Sequence, residues 1–212
     1  MVPPENLWAF VVAAAILIAI PGPSVLFSVG RALVLGRAGG LLSVLGNALG
    51  LLPIIVAVAF GVGAFVAQSV VLFTVLKVVG ALYLGYLGVQ AIRHRRDASA
   101  ALTAPVTRSS RWRQLGQGFI VGVTNPKTIA FFVAVLPQFV SLEAGSATVQ
   151  LLELGLVFFV LALIGDSTWA LAAGSARDWF VKSPKRAEHL AGTGGVMMIG
   201  LGGVLALSGA AN

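Results

Sequence analysis

The sequence predicts an all-α integral membrane protein, with six transmembrane helices arranged as two inverted three-helix repeats. Hydrophobic residues make up 58% of the chain and charged residues 10%, and the mean hydropathy is +0.98. A soluble domain is instead about half apolar and about a quarter charged. The apolar residues form continuous runs and not the short alternating strands of a β-barrel. Two of these runs contain proline near their middle, which gives both halves of the chain the same plan.

Six apolar stretches are long enough for a membrane crossing, which needs about 20 residues. We place them at 7–35, 39–66, 69–92, 116–140, 149–174 and 192–209. Little sequence remains for a soluble domain, so we treat residues 1–212 as a single polytopic membrane domain. It divides into a first repeat at 1–92, a basic connector at 93–115 and a second repeat at 116–212.

Proline interrupts the first and the fourth stretch, in the tripeptides Pro21–Pro23 and Asn125–Lys127. An interior proline removes a backbone hydrogen bond and kinks or breaks a helix. In lipid, broken backbone is tolerated only where protein buries it or where it lines a wet cavity. Two such breaks, in halves that enter the membrane from opposite sides, indicate an inverted repeat with a transport site at its interface. A simple proline kink is the alternative at either position.

The basic residues predict the orientation of the chain. Twelve of the fourteen lysines and arginines lie in alternate loops, around Arg31, Arg95 and Lys185. The positive-inside rule places these loops in the cytoplasm and both termini outside it. The net charge of +7 could also suggest a nucleic-acid partner. Because the basic residues are confined to alternate loops, a role in membrane orientation and in contact with anionic lipid head groups is favoured instead. We therefore expect no nucleic-acid partner.

Few charges lie inside the predicted spans. Lys127 and Asp166 are the deepest cation and the deepest anion, at similar estimated depths, and an intramembrane charge is by default a functional-site hypothesis. We predict that they form a coupled charged pair, in which Asp166 carries a proton or holds a substrate ammonium and Lys127 meets a substrate carboxylate. A static structural ion pair is the alternative. Glu153 lies close to the outer end of its span and receives less weight.

The helix N-termini that follow the two breaks support the same hypothesis. They present unpaired N–H groups and a positive dipole end, which suit a carboxylate, and Ser24 and Ser28 offer hydroxyls to the carbonyls freed by the first break. Asn47 is either a substrate contact or an interhelical hydrogen-bonding residue. The candidate substrate- and ion-binding residues are Pro21, Gly22, Pro23, Ser24, Asn47, Asn125, Pro126, Lys127, Thr128 and Asp166.

The chain lacks the side chains that membrane-embedded catalysis needs. It has no cysteine, and its two histidines, His94 and His189, lie in basic loops. No nucleophile with a base and no cluster of metal ligands occurs inside a span. We therefore expect no enzyme activity, no metal and no cofactor. The residues do not distinguish export from import. A small-solute channel is a stronger alternative to a transporter than an enzyme is, although buried charges suit coupled transport better than a channel.

The motifs also resemble those of a known family. Pro21–Pro23, Gly46-Asn47, Asn125–Lys127 and Pro137–Phe139 together are similar to the LysE/RhtB family of amino-acid exporters, and the likeness covers essentially the whole chain. The resemblance implies a secondary transporter that exports amino acids or close derivatives across a bacterial cytoplasmic membrane, driven by the proton-motive force. The expected partners are then an amino-acid substrate, protons and membrane lipid, with a homodimer as one assembly to consider.

One departure from the family pattern bears on the substrate. Leu51 and Leu52 follow Gly50, where a polar or acidic residue is expected in many relatives. The departure counts against a strongly cationic substrate such as lysine.

Overall fold

A computed structural model describes residues 1–66, 70–97, 110–175 and 183–207, and every regular element within them is helical, which confirms the all-α prediction. A short 3-10 helix, Leu136–Phe139, follows the fifth of the seven α-helices. These are α1 (Pro4–Ala19), α2 (Pro23–Val66), α3 (Val70–Arg93), α4 (Arg111–Val123), α5 (Pro126–Ala134), α6 (Ala147–Ser175) and α7 (Pro184–Leu207). The middle of the predicted connector and the carboxyl-terminal residues lie outside the described ranges.

Both predicted proline breaks occur in the structure. Helix α1 ends at Ala19 and α2 begins at Pro23, and α4 ends at Val123 before α5 begins at Pro126. Each restart places proline at a first helical position, where its missing N–H has no helical partner to lose. The axes of α4 and of the segment that follows it differ by 45°.

The lengths of the helices fit a membrane protein. Among the described residues, Pro23–Gly61 and Ala147–Ser175 are long and apolar enough to cross a membrane, and the bent pair of α4 with Pro126–Phe139 adds a third candidate. Shorter apolar helices cover Pro4–Ala19, Val78–Arg93 and Ala191–Val204. The six complete crossings expected from the sequence stay a prediction.

The turn expected between the first two spans is present as a kink, and one other boundary differs from the sequence-based expectation. Two helical segments join within Pro23–Val66 at Gly36, which has φ 78° and ψ −179°, a backbone conformation that is nearly restricted to glycine. Helix α4 begins inside the predicted connector, because the hydroxyl of Ser110 accepts a hydrogen bond from the Arg113 N–H at 3.3 Å and caps the helix there.

Glycines bring α2 and α4 into backbone contact. Gly46 and Gly50 of α2 face Gly118 and Gly122 of α4, and a Cβ added at any of them would overlap the facing backbone. Small residues four apart on each helix allow the two backbones to approach this closely. Because Asn47 lies between the two glycines of α2, this contact also fixes its depth.

Helix α2 packs against α4 and α6, whereas α3 packs against α5 and α7. Buried phenylalanines connect the remaining elements beside the breaks. Phe131 of α5 lies 6.1 Å from Phe10 of α1 and 5.4 Å from Phe158 of α6, measured between ring centroids. Packing of this kind holds α5 rigidly against both helices, which positions the residues at its first turn.

Candidate functional site

The second break carries its own cap. The side-chain oxygen of Asn125 accepts a hydrogen bond from the backbone N–H of Lys127 at 3.1 Å, as an N-cap residue does. The amide nitrogen of Asn125 donates to the hydroxyl of Ser24 at 2.6 Å. The cap of α5 is therefore tied to the first turn of α2, directly after the other break.

Lys127 caps the first break from the opposite half of the chain. Its ammonium donates to the carbonyl oxygens of Leu17 at 3.0 Å and Ile20 at 2.7 Å. These carbonyls lie at the end of α1, where the break leaves acceptors without helical partners, and a cation is favourable at the negative end of a helix. An ammonium has three N–H donors, and the third one of Lys127 has no partner among the described residues.

Gly22 leaves room for the lysine side chain to reach these carbonyls. A Cβ added at Gly22 would lie 3.1 Å from Cε and 3.2 Å from Nζ of Lys127. The lysine therefore passes directly over the glycine of the first motif. The two proline motifs meet through this one side chain, which is 5% exposed.

The expectation that serine hydroxyls satisfy the freed carbonyls is wrong for Leu17 and Ile20. Lys127 takes both carbonyls, because an ammonium offers several donors and favours a helix carboxyl end. The Ser24 hydroxyl accepts from Asn125 instead. The Ser28 hydroxyl is buried without a hydrogen-bond partner among the described residues.

Asp166 lies on α6 and is 6% exposed. It accepts a hydrogen bond at 3.0 Å from the side-chain amide of Asn47, which confirms the interhelical role considered for Asn47. The side-chain oxygen of Asn47 is buried and accepts no hydrogen bond from the described residues. Asp166 and Lys127 bond to neutral partners and not to each other, so the coupled pair stays a prediction.

The ten predicted site residues line two cavities. The larger cavity, of about 720 Å³, is bordered by Pro21, Gly22, Pro23, Pro126 and Lys127. The smaller one, of about 20 Å³, is bordered by Ser24, Asn47, Asn125, Lys127, Thr128 and Asp166. The smaller volume suffices for about one water-sized group. Lys127 borders both cavities.

Sequence reasoning missed the residues at the far end of the larger cavity. Arg31, His94 and Asp97 line it there. Arg31, which we had assigned to a loop, lies within α2, where its guanidinium hydrogen-bonds the side chain of Gln117 and stands 5.1 Å from the ring centroid of Phe27. The spacing of Phe27 and Arg31, one helical turn apart, was the available signal.

Glu153 lies outside the candidate site. Its carboxylate accepts the backbone N–H of Val2 at 3.0 Å, and it lines neither cavity. The lower weight given to it agrees with this position.

A buried charge beside two broken helices is typical of membrane transport proteins, and the helical fold agrees with that class. The family profile described as LysE type translocator matches residues 15–209. The chain therefore belongs to this family, whose members are transporters and not enzymes.

Individual relatives extend over nearly the whole chain. A membrane protein of Vibrio cholerae is 34% identical over 203 residues, covering 95% of this chain and 97% of its own length. A homoserine/homoserine lactone efflux protein of Salmonella typhi is 30% identical, over 94% of this chain and 95% of its own. A leucine efflux protein of an Enterobacter species is 27% identical, over 95% of both chains. No solved structure matches the chain significantly.

Proposed function

We propose that the protein exports amino acids or close derivatives across the bacterial cytoplasmic membrane in exchange for protons. The observation that carries the proposal is the position of Lys127, which is buried where both broken helices meet and borders both cavities. Relatives named for homoserine and leucine efflux support export over import. The buried charges of Lys127 and Asp166 favour a carrier over an open channel.

The site offers complementary groups for an amino-acid zwitterion. The third N–H of Lys127 donates to the substrate carboxylate, while Lys127 keeps its bonds to the end of α1. The substrate ammonium donates to Asp166 and to the oxygen of Asn47 that is otherwise without a donor. Each buried charge of the protein then has an opposite charge beside it, which offsets part of the cost of leaving water.

We also propose that the chain crosses the membrane six times in two inverted repeats, with both termini outside the cytoplasm. If the repeats are equivalent, α1 corresponds to α4, α2 beyond Gly36 to α6, and α3 to α7. The packing supports this correspondence, because α2 packs on α6 and α3 on α7, and α1 packs on α6 as α4 packs on α2. The substrate site then lies at the repeat interface, near the midplane.

Asp166 is the proposed proton carrier. Its carboxylate either holds a proton or receives the substrate ammonium, so that one displaces the other and efflux is coupled to proton entry. The static structural pair is the competing interpretation, in which Asp166 only holds Asn47 and α2 in place.

Asp166→Asn separates these interpretations, because it removes the charge and keeps the shape. Cells loaded with a panel of dipeptides would be followed for release of free amino acids that depends on the protein. We expect the variant to lose efflux driven by a pH gradient, by roughly tenfold or more, and to retain substrate exchange. The exposed carboxylate Glu143 supplies the matched control, Glu143→Gln, which should behave as wild type. Undiminished gradient-driven efflux by Asp166→Asn would contradict the carrier role, and loss of folded protein would favour the static pair.

The orientation is tested by single cysteines in this cysteine-free chain. Ala144 lies in the link before α6, predicted outside, and Ser110 at the start of α4, predicted inside; both are exposed. We expect a membrane-impermeant maleimide to label Ala144→Cys in intact cells and to label Ser110→Cys only after lysis. The reverse pattern would mean that the topology is inverted.

A further inference from the structure

We infer that the substrate is an amino acid with a neutral, apolar side chain of about the size of leucine, and that this side chain lies in the larger cavity. The inference rests on the proposed function and adds the side-chain class to it. Three features of the described residues carry it: the wall of the larger cavity, the volume of the smaller one and the charges that line both.

The wall of the larger cavity beyond the two breaks is mainly apolar. Side chains of α2, α3 and α7 form it, namely Leu26, Phe27, Leu87, Ala91 and Met198. Gln90 also lines the cavity, but its amide donates to the hydroxyl of Tyr86 at 2.7 Å. An apolar lining with few polar groups at one end is usual for small-molecule sites of this volume, and it rewards an apolar side chain that leaves water.

Lys127 sets the direction in which a substrate lies. With the carboxylate on Lys127 and the ammonium towards Asp166, the backbone atoms of the amino acid occupy the boundary between the two cavities. The smaller cavity, of about 20 Å³, admits about one water-sized group. The side chain therefore has room only in the larger cavity, against the apolar wall.

The lining charges disfavour a cationic side chain. Lys127 and Arg31 are positive, and Asp97 is the one carboxylate among the described residues of the larger cavity, so positive side chains outnumber negative ones there. A lysine side chain would add a further positive charge to this cavity. Leu51, 2% exposed, makes the smaller cavity partly apolar as well.

A hydroxyl on the side chain is also disfavoured. Along the wall formed by Leu87 and Met198, a homoserine hydroxyl would leave water without gaining a partner, and burying an unpaired polar group costs free energy. Discrimination by one or two methylenes in an apolar pocket is on the order of tenfold or more. Leucine should therefore be preferred over alanine, lysine and homoserine.

The wild-type protein tests the inference without any substitution. Purified protein in proteoliposomes would be assayed for exchange of labelled leucine against unlabelled leucine, alanine, homoserine and lysine, and each labelled compound would be tested in turn. We expect leucine to compete roughly tenfold more effectively than the other three. Equal or better competition by homoserine or lysine would overturn the side-chain class and leave amino-acid export standing. If neither these four nor any other amino acid is exchanged, the result instead contradicts the proposed function.

A matched pair of variants on α3 locates the effect in the wall. Leu87 lines the larger cavity, whereas Leu82 is 70% exposed and lines neither. Leu87→Gln should reduce the preference for leucine over alanine by about tenfold, and Leu82→Gln should leave it unchanged. An unchanged preference in a folded Leu87→Gln protein would overturn the assignment of the wall. The competition series on the wild type decides the matter if that variant does not accumulate.

Discussion

The two helix breaks look alike in sequence and are completed in different ways. The second break is capped locally, because Asn125 accepts the N–H of Lys127, two residues away, and the hydroxyl of Thr124 donates to the carbonyl of Ile120 at 2.6 Å. The first break has no side-chain cap from its own half at the end of α1. The carbonyl of Ile20 accepts from Lys127, and the carbonyl of Leu17 accepts from Lys127 and from the backbone N–H of Ile20.

This difference shows which break can respond to a substrate. A locally capped break keeps its hydrogen bonds whatever occupies the cavities. Lys127 is a hydrogen-bond donor both to the end of α1 and to the proposed carboxylate site. Any movement of its ammonium therefore changes its hydrogen bonds to two buried carbonyls. If Lys127 binds the substrate carboxylate as proposed, the first break is the one that responds to substrate, and the second break holds the lysine in place.

The largest effect is expected from closing the first break. The double substitution Pro21→Ala with Pro23→Ala favours continuous helix, since each proline in a helix interior costs about 3 kcal/mol relative to alanine. In a continuous helix the carbonyls at the end of α1 would accept hydrogen bonds from N–H groups of the same helix. The break that borders the larger cavity would then be lost. We expect export at background level with normal membrane insertion, measured by efflux and by the amount of protein in the membrane.

Pro53 provides the matched control for that double variant. It lies inside α2, is exposed and lines neither cavity. Pro53→Ala should keep efflux near the wild-type rate. Normal transport by the Pro21/Pro23 double variant would reduce the first motif to a kink without a role in transport.

The next largest effect is expected from removing the donor that completes the first break. Lys127→Ala removes the described bond of the Ile20 carbonyl and one of the two bonds of the Leu17 carbonyl, and an unsatisfied buried group costs about 1–3 kcal/mol. We expect a lower thermal midpoint in detergent and a loss of efflux of roughly tenfold or more. Lys185, which is exposed at the start of α7, supplies the control Lys185→Ala. A stable Lys127→Ala protein with full efflux would refute both the capping and the binding role.

A smaller effect is expected at the second break. Asn125→Ala removes an N-cap, at a cost of about 0.5–2 kcal/mol, together with the bond to Ser24. We expect efflux to fall several-fold, because the position of Lys127 becomes less well defined. Ser110, the exposed N-cap of α4, gives the control Ser110→Ala, which loses a comparable cap without reaching the site. If the two alanine variants lower efflux equally, the comparison between the breaks fails.

Local backbone chemistry explains why the breaks and the deep charges could be predicted from the sequence. A proline in a helix interior removes a backbone hydrogen bond, so Pro21 and Pro126 mark candidate breaks, although Pro53 lies inside α2 without ending it. A charge in an apolar run is expensive wherever the run packs, so Lys127 and Asp166 stand out as well. These residues do lie together in the structure, around the two cavities.

The partners of these residues could not be predicted, because they are distant in the chain or belong to the backbone. Every residue except proline offers the same two backbone groups, one N–H and one C=O. Nothing in the amino-acid sequence therefore identifies the carbonyls of Leu17 and Ile20 as acceptors for Lys127. The helical position of Arg31 was missed because a basic residue near the end of a span resembles a loop residue. The turn itself lies where the stretches 7–35 and 39–66 place it, at Gly36, where the glycine adopts a positive φ.

The capping of α1 by Lys127 has a consequence for the synthesis of the protein. Ile20 precedes Lys127 by 107 residues, so the ribosome makes the first break long before it makes the ammonium that completes it. During that interval the carbonyls at the end of α1 must be hydrated or bonded to lipid head groups or to the insertion machinery, because hydrocarbon offers them no donor. We therefore expect the end of α1 to reach its final environment only when the fourth apolar segment is made. Truncation before that segment should leave the first one accessible to water.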